Sequence, residues 1–372
     1  MATSNGHTRE IKVGDRVSFA FGVKKDKSFY SFDQQAGRPA VVMIVNTLPL
    51  SCVKPTLSAF EQRTEDFKFS SADVLVIINA AGPYVLDYES APDSPLEFIY
   101  CFPRIFEEWG WAGNEPQIVV MDRNARVIAP IRGGDPEQLA RSALDCLAAP
   151  NGASEEYQQP APILLIPNVF SAAFCGELIS HFESNSHVKG GIASMDATGA
   201  AYNKIDSAKK KREDFILQPG DQLFPPVVEA LSRVCLPEIQ RAFQFNASYM
   251  DRILLARYDA DGGCFLRHRD NAAPAVAYRQ FAVSINLNME EYEGGDLLFP
   301  EYNSCRYKAP TGSALIFSAT LLHEATHVLK GSRYVLLTFF HNAEGEARRR
   351  AAEAPVTELR PVSATSSVRP RS

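Results

Sequence analysis

The chain has 372 residues, 45% of them hydrophobic and 22% charged, which is enough apolar material to bury two ordinary cores. A formal net charge of -6 supplies no global attraction to phosphate backbones or anionic lipid, so neither nucleic acid nor a membrane surface is an expected partner. The N-terminal MATSNGHTRE lacks the apolar core of a signal peptide, and no stretch reaches the roughly 18 continuous apolar residues of a membrane span, so the expectation is a cytoplasmic protein.

In chain order, the first half alternates short β-branched runs with amphipathic segments. PAVVMIV (39–45), ADVLVII (72–78) and PQIVVMD (116–122) read as buried central strands. LSAFEQRTEDF and DPEQLARSALDCLA read as helices, and the alternation implies an α/β sandwich. The seven cysteines, including Cys52, Cys101 and Cys146 here, are scattered and form no C-x-x-C pair, which argues against a disulfide framework or a structural zinc site.

With GRPAVVMIVNTLPLSCVKPTLSAFEQ as its first strand and following loop, this half resembles the peroxiredoxin branch of the thioredoxin-like fold. The resemblance places Cys52 where the reactive cysteine of that family stands, at a helix N-terminus that favours the thiolate. It also places Pro116 at the cis-proline position. The residues around Cys52 depart from the family pattern: Val45 and Pro49 replace its upstream Pro and Thr/Ser, and Pro55 occupies the place of a thioredoxin's second cysteine. Residues 1–148 therefore read as a binding or interaction module rather than a working peroxidase, with Cys52 as the candidate redox residue.

AAPNGASEEYQQPAP (148–162) is rich in Ala, Pro, Gly and polar residues, without a helical or strand period, and reads as an interdomain linker, 149–162. Beyond it AAFCGELISHFESN and PGDQLFPPVVEALSRVCLPEIQRAF read as helices. The segment 187–214, Gly/Ala-rich and then basic through Lys209 to Arg212, reads as a long loop. From Tyr249 onward strand follows short strand, the pattern of an antiparallel jelly roll. The last segment, 343–372, reads as a helix end fading into a flexible tail.

Leu322-His323-Glu324-Ala325-Thr326-His327 contains the H-E-x-x-H of zinc proteases. That motif works on a helix, where residues i and i+4 share a face. Its flanks here, SALIFSATLL and VLKGSRYVLLTFF, are β-branched and broken by Lys330-Gly331-Ser332, so a zinc metalloprotease is only a remote alternative. His268-Arg269-Asp270 imitates the kinase H-R-D, but no Gly-rich loop or D-F-G accompanies it. Read as His-x-Asp on a strand, His268 and Asp270 point to one face and can reach one ion together, and a third ligand from a distant strand would complete a facial triad.

RYDADGGCFLRHRDN, RQFAVSINLNMEEYEGGDLLFP and SALIFSATLLHEATHVLKGSRYVLLTFF resemble the prolyl-4-hydroxylase-like branch of the 2-oxoglutarate- and Fe(II)-dependent dioxygenases over about residues 163–341. In that family the distal metal ligand precedes by nine or ten residues a basic residue that binds the far carboxylate of 2-oxoglutarate. His323 precedes Arg333 by ten and His327 by only six. The resemblance thus implies His268, Asp270 and His323 as metal ligands and catalytic centre, and Arg333 as the cosubstrate-binding residue. It adds Tyr258 as a hydrogen-bonding partner of the cosubstrate and Asn286 where some relatives carry a tyrosine. It implies Fe(II), 2-oxoglutarate and O2, with ascorbate as reductant.

The expected architecture is a two-domain chain. An N-terminal α/β thioredoxin-like sandwich (1–148) precedes a C-terminal double-stranded β-helix, or jelly roll, with flanking helices (163–342). The expected activity is hydroxylation of an unactivated C–H bond on a peptidyl residue such as proline, in a protein or peptide substrate, or on a small-molecule metabolite. The alternative from a different class is a redox- or peroxide-sensing protein in which the thioredoxin-like part leads.

Overall fold

The computed structural model describes residues 10–16, 21–103, 105–106, 114–148, 159–195 and 201–353. The first half is built on strands β1 (Phe21–Lys24), β2 (Phe29–Ser31), β3 (Ala40–Asn46), β4 (Asp73–Asn79), β5 (Glu97–Cys101), β6 (Gln117–Met121) and β7 (Val127–Ile131). They form one sheet in the order β2-β1-β5-β4-β3-β6-β7, with β3, β4 and β5 parallel and β6 and β7 antiparallel to their neighbours. Parallel neighbours need a crossover, and the helix Leu50–Glu61 supplies the one between β3 and β4. Strands β3 and β6 are hydrophobic and buried almost throughout, because both sheet faces are covered. This is the thioredoxin-like arrangement the sequence implied.

Two local expectations change. The helix read over 57–67 is split, ending at Glu61 and restarting as Thr64–Phe69. There is no cis peptide bond among the described residues, so Pro116 opens β6 in trans. All seven cysteines are free, with Cys101, Cys175, Cys235 and Cys264 buried as ordinary core residues.

The second half begins with β8 (Ile163–Ile166) and the helix Ala172–Glu183, capped by the Ser171 hydroxyl accepting from the Phe174 amide. The segment read as a loop over 187–214 is instead largely extended. It carries β9 (Val188–Lys189), β10 (Ile192–Met195), β11 (Ala201–Lys204), β12 (Lys210–Lys211) and the start of β13 (Glu213–Leu217). β10 and β11 pair with each other, whereas β9, β12 and β13 owe their form to pairing with partners further along the chain, which local pattern does not reveal. Helices Phe224–Ala230 and Leu236–Phe243 follow. Next come β14 (Tyr249–Met250), β15 (Ile253–Asp259), β16 (Cys264–His268), β17 (Phe281–Asn286), β18 (Glu293–Gly294) and β19 (Leu297–Leu298). The set ends with β20 (Ala314–Ser318), β21 (His323–Ala325), β22 (Val328–Lys330) and β23 (Ser332–His341). A helix, Ala343–Glu353, closes the described chain, and the expected tail beyond it lies outside the described residues.

A major sheet runs β8-β20-β17-β23-β15-β13-β9 and a minor sheet β12-β16-β21-β19. Period-two alternation sorts the side chains of the major sheet. Leu336, Phe340, Val283 and Ile285 pack with Leu178, Phe182 and Leu231 on the helix-covered face. Val335, Phe339, Ala282, Ala256 and Tyr258 turn the other way and meet Leu297, Phe299 and Ala325 from the minor-sheet side. The two sheets thus close a jelly roll over an interior into which alternate residues of both project. Among the described residues, no helix is long and apolar enough to cross a membrane.

Candidate metal centre

The minor sheet brings the candidate ligands together. Strands β16 and β21 are antiparallel, with His268 directly opposite His323. Their rings lie 4.3 Å apart. Asp270 lies just past the end of β16 rather than within it, its amide held by the Ala319 carbonyl at 3.0 Å. Its carboxylate comes within 3.5 Å of His268 Nε2 and 3.4 Å of His323 Nε2. One ligand atom from each of the three residues lies within 4.8 Å of the others.

The imidazoles are pre-oriented by backbone. His268 Nδ1 meets the Leu266 carbonyl at 2.7 Å, and His323 Nδ1 meets the Leu321 carbonyl at 2.9 Å. A carbonyl only accepts, so each Nδ1 carries a hydrogen and each Nε2 is turned toward the Asp270 carboxylate. Phe265 stacks on His268 at 3.4 Å, and Phe317 meets His323 edge-on at 4.7 Å. Burial pushes the His268 imidazolium down to about 4, helped by the neighbouring His323, so the ring is neutral and ready to coordinate at ordinary pH. Burial alone would raise the Asp270 carboxyl, but His323, His268 and Arg279 outweigh it and hold the group well below the usual carboxylate range. Two imidazoles and one carboxylate suit a divalent first-row metal.

Opposite, on the major sheet, Arg333 of β23 is 3% exposed. It points into the interior because it shares the face of Val335 and Phe339. On adjacent β17, Asn286 and Ser284 share the face of Ala282 and meet it: Arg333 donates to Asn286 Oδ1 at 3.2 Å and to Ser284 Oγ at 3.5 Å. Among the described residues it has no carboxylate partner, so a buried guanidinium is held by neutral oxygens alone, an arrangement that favours an incoming anion. Tyr292 lies beside it with a buried hydroxyl that has no hydrogen-bond partner. Gly295 (φ +62°) makes this proximity possible, since a Cβ there would stand 2.9 Å from Arg333 Cδ and 3.3 Å from Tyr292 Cε2.

Tyr258 pairs with Arg333 across β15–β23, and its ring lies 5.3 Å from the guanidinium carbon. Its hydroxyl accepts from Arg212 at 3.0 Å, which leaves its own hydrogen for another acceptor. Arg212 forks onto Asp214 at 2.6 and 3.1 Å. Lys210 is 5% exposed, reaches the Gly191 carbonyl at 2.7 Å, and is lowered to about 7 chiefly by burial and then by Arg212. The sequence assigned Lys209 to Arg212 to a solvated loop. Lys210 and Arg212 are instead buried, and the signal for this was the alternation of Lys210, Arg212 and Asp214, which a strand turns to one side. Arg279 is anchored on Asp251 at 2.7 Å and stacks on Phe339 at 3.9 Å.

The other sequence candidates stand apart. The HEATH segment forms β21 rather than a helix, and His327 is exposed and outside the ligand cluster, which removes the geometry a zinc protease requires. Cys52 is exposed in the first turn of the Leu50–Glu61 helix, as expected, and the backbone carbonyl of Pro49 accepts from its amide at 3.0 Å. Sequence reasoning missed Ser284, Tyr292 and Phe265, whose types are ordinary in a core and whose roles depend on which strand lies beside which.

Residues 253–341 match the family model described as the 2OG-Fe(II) oxygenase superfamily. A PKHD-type hydroxylase of a Picosynechococcus species is 30% identical over 135 residues, covering 34% of this chain and 59% of the relative, so the chain spans less than two thirds of that relative's length. The viral collagen prolyl hydroxylase of Paramecium Bursaria Chlorella virus-1 superposes with a TM-score of 0.36 at 16% identity over 49% of this chain and 96% of that one. A peroxidoxin of Mycobacterium tuberculosis superposes with a TM-score of 0.33 at 14% identity over 38% of this chain and 100% of its own. The C-terminal region carries a 2OG-Fe(II) oxygenase domain, and the family implies Fe(II), 2-oxoglutarate and O2 as its reagents.

Proposed function

We propose that the chain is a 2-oxoglutarate- and Fe(II)-dependent dioxygenase that hydroxylates an unactivated C–H bond, with ascorbate keeping the iron reduced. The observation that carries this reading is the opposition of two charge-complementary sets across the jelly roll. His268, Asp270 and His323 stand on the minor sheet, and the buried Arg333, without a carboxylate, stands on the major sheet. The domain division that accompanies it is 1–148 and 163–342, joined by 149–162.

In this reading the two Nε2 atoms and the Asp270 carboxylate would hold the metal. Arg333 pairs two-point with the far carboxylate of 2-oxoglutarate, the geometry a planar fork serves best. Tyr258 donates its free hydroxyl hydrogen, and Asn286 fixes the guanidinium plane through Oδ1. Phe265 and Phe317 cover the imidazoles and limit water at the centre. When bound, iron and 2-oxoglutarate supply oxygen activation coupled to decarboxylation to succinate and CO2. The substrate is a peptidyl residue such as proline, or a small metabolite. Supporting hydroxylation, the PKHD-type relative is a hydroxylase by its printed name.

The test is succinate formation from 2-oxoglutarate by the full chain with Fe(II) and ascorbate, with and without proline-containing peptides. Fe(II)-dependent succinate that rises with one substrate class is expected. Fe(II)-independent turnover, or none with any peptide or metabolite pool, overturns the reading.

A further inference from the structure

The residue between the two ligands of the His-x-Asp pair is the most heavily engaged arginine of the centre. The Arg269 side chain is 7% exposed and donates to both oxygens of Glu301 at 3.0 and 2.9 Å. It also donates to the Thr320 carbonyl. Glu301, 2% exposed, is shared: it accepts from the amide of Leu322, the residue before His323, at 3.3 Å. One carboxylate therefore ties the segment carrying His268 and Asp270 to the segment carrying His323.

That pair is not isolated. From the thioredoxin-like half, Asp33 approaches Arg269 at 3.4 Å and Arg16 approaches Glu301 at 3.0 Å. Each half of the chain contributes one cation and one anion to a four-membered network. Around it Arg267, one residue before His268, donates to the Ala36 carbonyl. Gly37 (φ +87°) approaches Pro300 so closely that a Cβ would stand 3.2 Å from the proline ring. Arg269, Glu301 and Asp33 are largely withdrawn from water while Arg16 is 34% exposed, so the inner charges are weakly screened and removal of one of them leaves a net charge in the network.

We propose that the thioredoxin-like half is a positioning element of the metal centre. Asp33 and Arg16 hold Arg269 and Glu301, and through them the backbone on which His268, Asp270 and His323 stand. The inference rests on the metal-centre reading above. It assigns the N-terminal half a role in metal affinity that needs neither Cys52 nor a docking partner. Loss of the Asp33 charge removes one of the partners that set the Arg269 guanidinium and leaves an extra positive charge beside a site meant for a dication.

The experiment uses the full chain and Co(II), whose d–d absorption reports ligand geometry, with affinity taken from the same titration and folding checked by thermal unfolding. Asp33→Asn and Asp33→Ala are expected to raise the Co(II) dissociation constant on the order of ten-fold, the low end for residues that orient ligands. The d–d band should change shape, and Asp33→Glu should restore most of both. Lys68→Ala, which breaks the exposed pair with Glu65 in the same half, should leave both unchanged. If Asp33→Ala does not fold, the isosteric Asp33→Asn decides. Wild-type affinity and an unaltered band in a folded Asp33→Asn overturn the positioning role. Failure of the wild-type chain to bind Co(II) overturns the metal-centre reading, and the positioning role with it.

Discussion

His268 and His323 face each other across the β16–β21 pair with their rings 4.3 Å apart, each turned by a carbonyl two residues upstream. Both Nε2 atoms therefore converge on the carboxylate that enters from the turn after β16.

From this opposition, His268→Ala, Asp270→Ala or His323→Ala should abolish Fe(II) or Co(II) binding and succinate formation. His327→Ala should keep wild-type affinity because that ring is exposed and outside the cluster. Asp270→Glu should lose most activity as well, since one added methylene displaces the carboxylate by more than a facial site tolerates. Metal titration separates the cases, and equal losses for His323→Ala and His327→Ala would contradict the ligand assignment.

Arg333→Ala should leave metal affinity close to wild type while weakening 2-oxoglutarate binding by about 2–5 kcal/mol, the usual scale for truncating one partner of a buried charge pair. Arg333→Lys should recover only part of this, because an ammonium does not reproduce the fork. Calorimetric titration of the metal-loaded protein measures both, and unchanged 2-oxoglutarate affinity in Arg333→Ala would place the anion pocket elsewhere.

Lys210 makes stability depend on pH. Its folded value of about 7 lies below the ordinary 10.5 because burial disfavours the charge. Below about pH 7 the lysine is charged both folded and unfolded, and the burial cost is present in full. Between pH 7 and 10.5 the unfolded chain holds a proton the folded chain has shed, so stability rises with pH. Lys210→Met lacks that gain. Its unfolding free energy relative to wild type should therefore be most favourable near pH 6.5 and fall toward pH 10, by up to a few kcal/mol at ~1.4 kcal/mol per pKa unit, read from denaturant unfolding at each pH. A difference that stays flat over this range would show that the lysine keeps its proton.

Cys52→Ser should leave succinate formation unchanged, and the wild-type chain should consume peroxide no faster than an ordinary exposed thiol. A peroxidatic cysteine needs hydrogen-bond donors aimed at the peroxide and a route back to the thiol. Pro49 cannot donate, and every cysteine of the chain is free. Rapid peroxide turnover that disappears in Cys52→Ser would make the first half a redox enzyme.

The parts of this molecule that follow local rules were legible before the structure. The β-branched runs of β3, β4 and β6 become buried strands because both faces of that sheet are covered. His268, Asp270, His323 and Arg333 stand out because their spacing is fixed along the chain. What escaped depends on strand adjacency. Ser284 matters only because β17 lies beside β23, and Lys210 is buried only because β12 pairs with β16. Arg269 was visible merely as the middle of a false kinase motif. Its partners Glu301 and Asp33 lie far away in sequence, and no local pattern announces an ion pair of that kind.

The carbonyls of Leu266 and Leu321 that set the two imidazoles belong to the backbone, and any side chain at those positions would offer the same oxygen. Evolutionary drift at positions 266 and 321 is therefore nearly silent for ring orientation, whereas a one-residue insertion or deletion between Ala319 and His323 would swing a ring away from the centre. Libraries meant to retarget the substrate can vary the exposed Leu266 side chain, should keep position 321 apolar because Leu321 packs in the core, and should leave the lengths of the segments that carry both untouched.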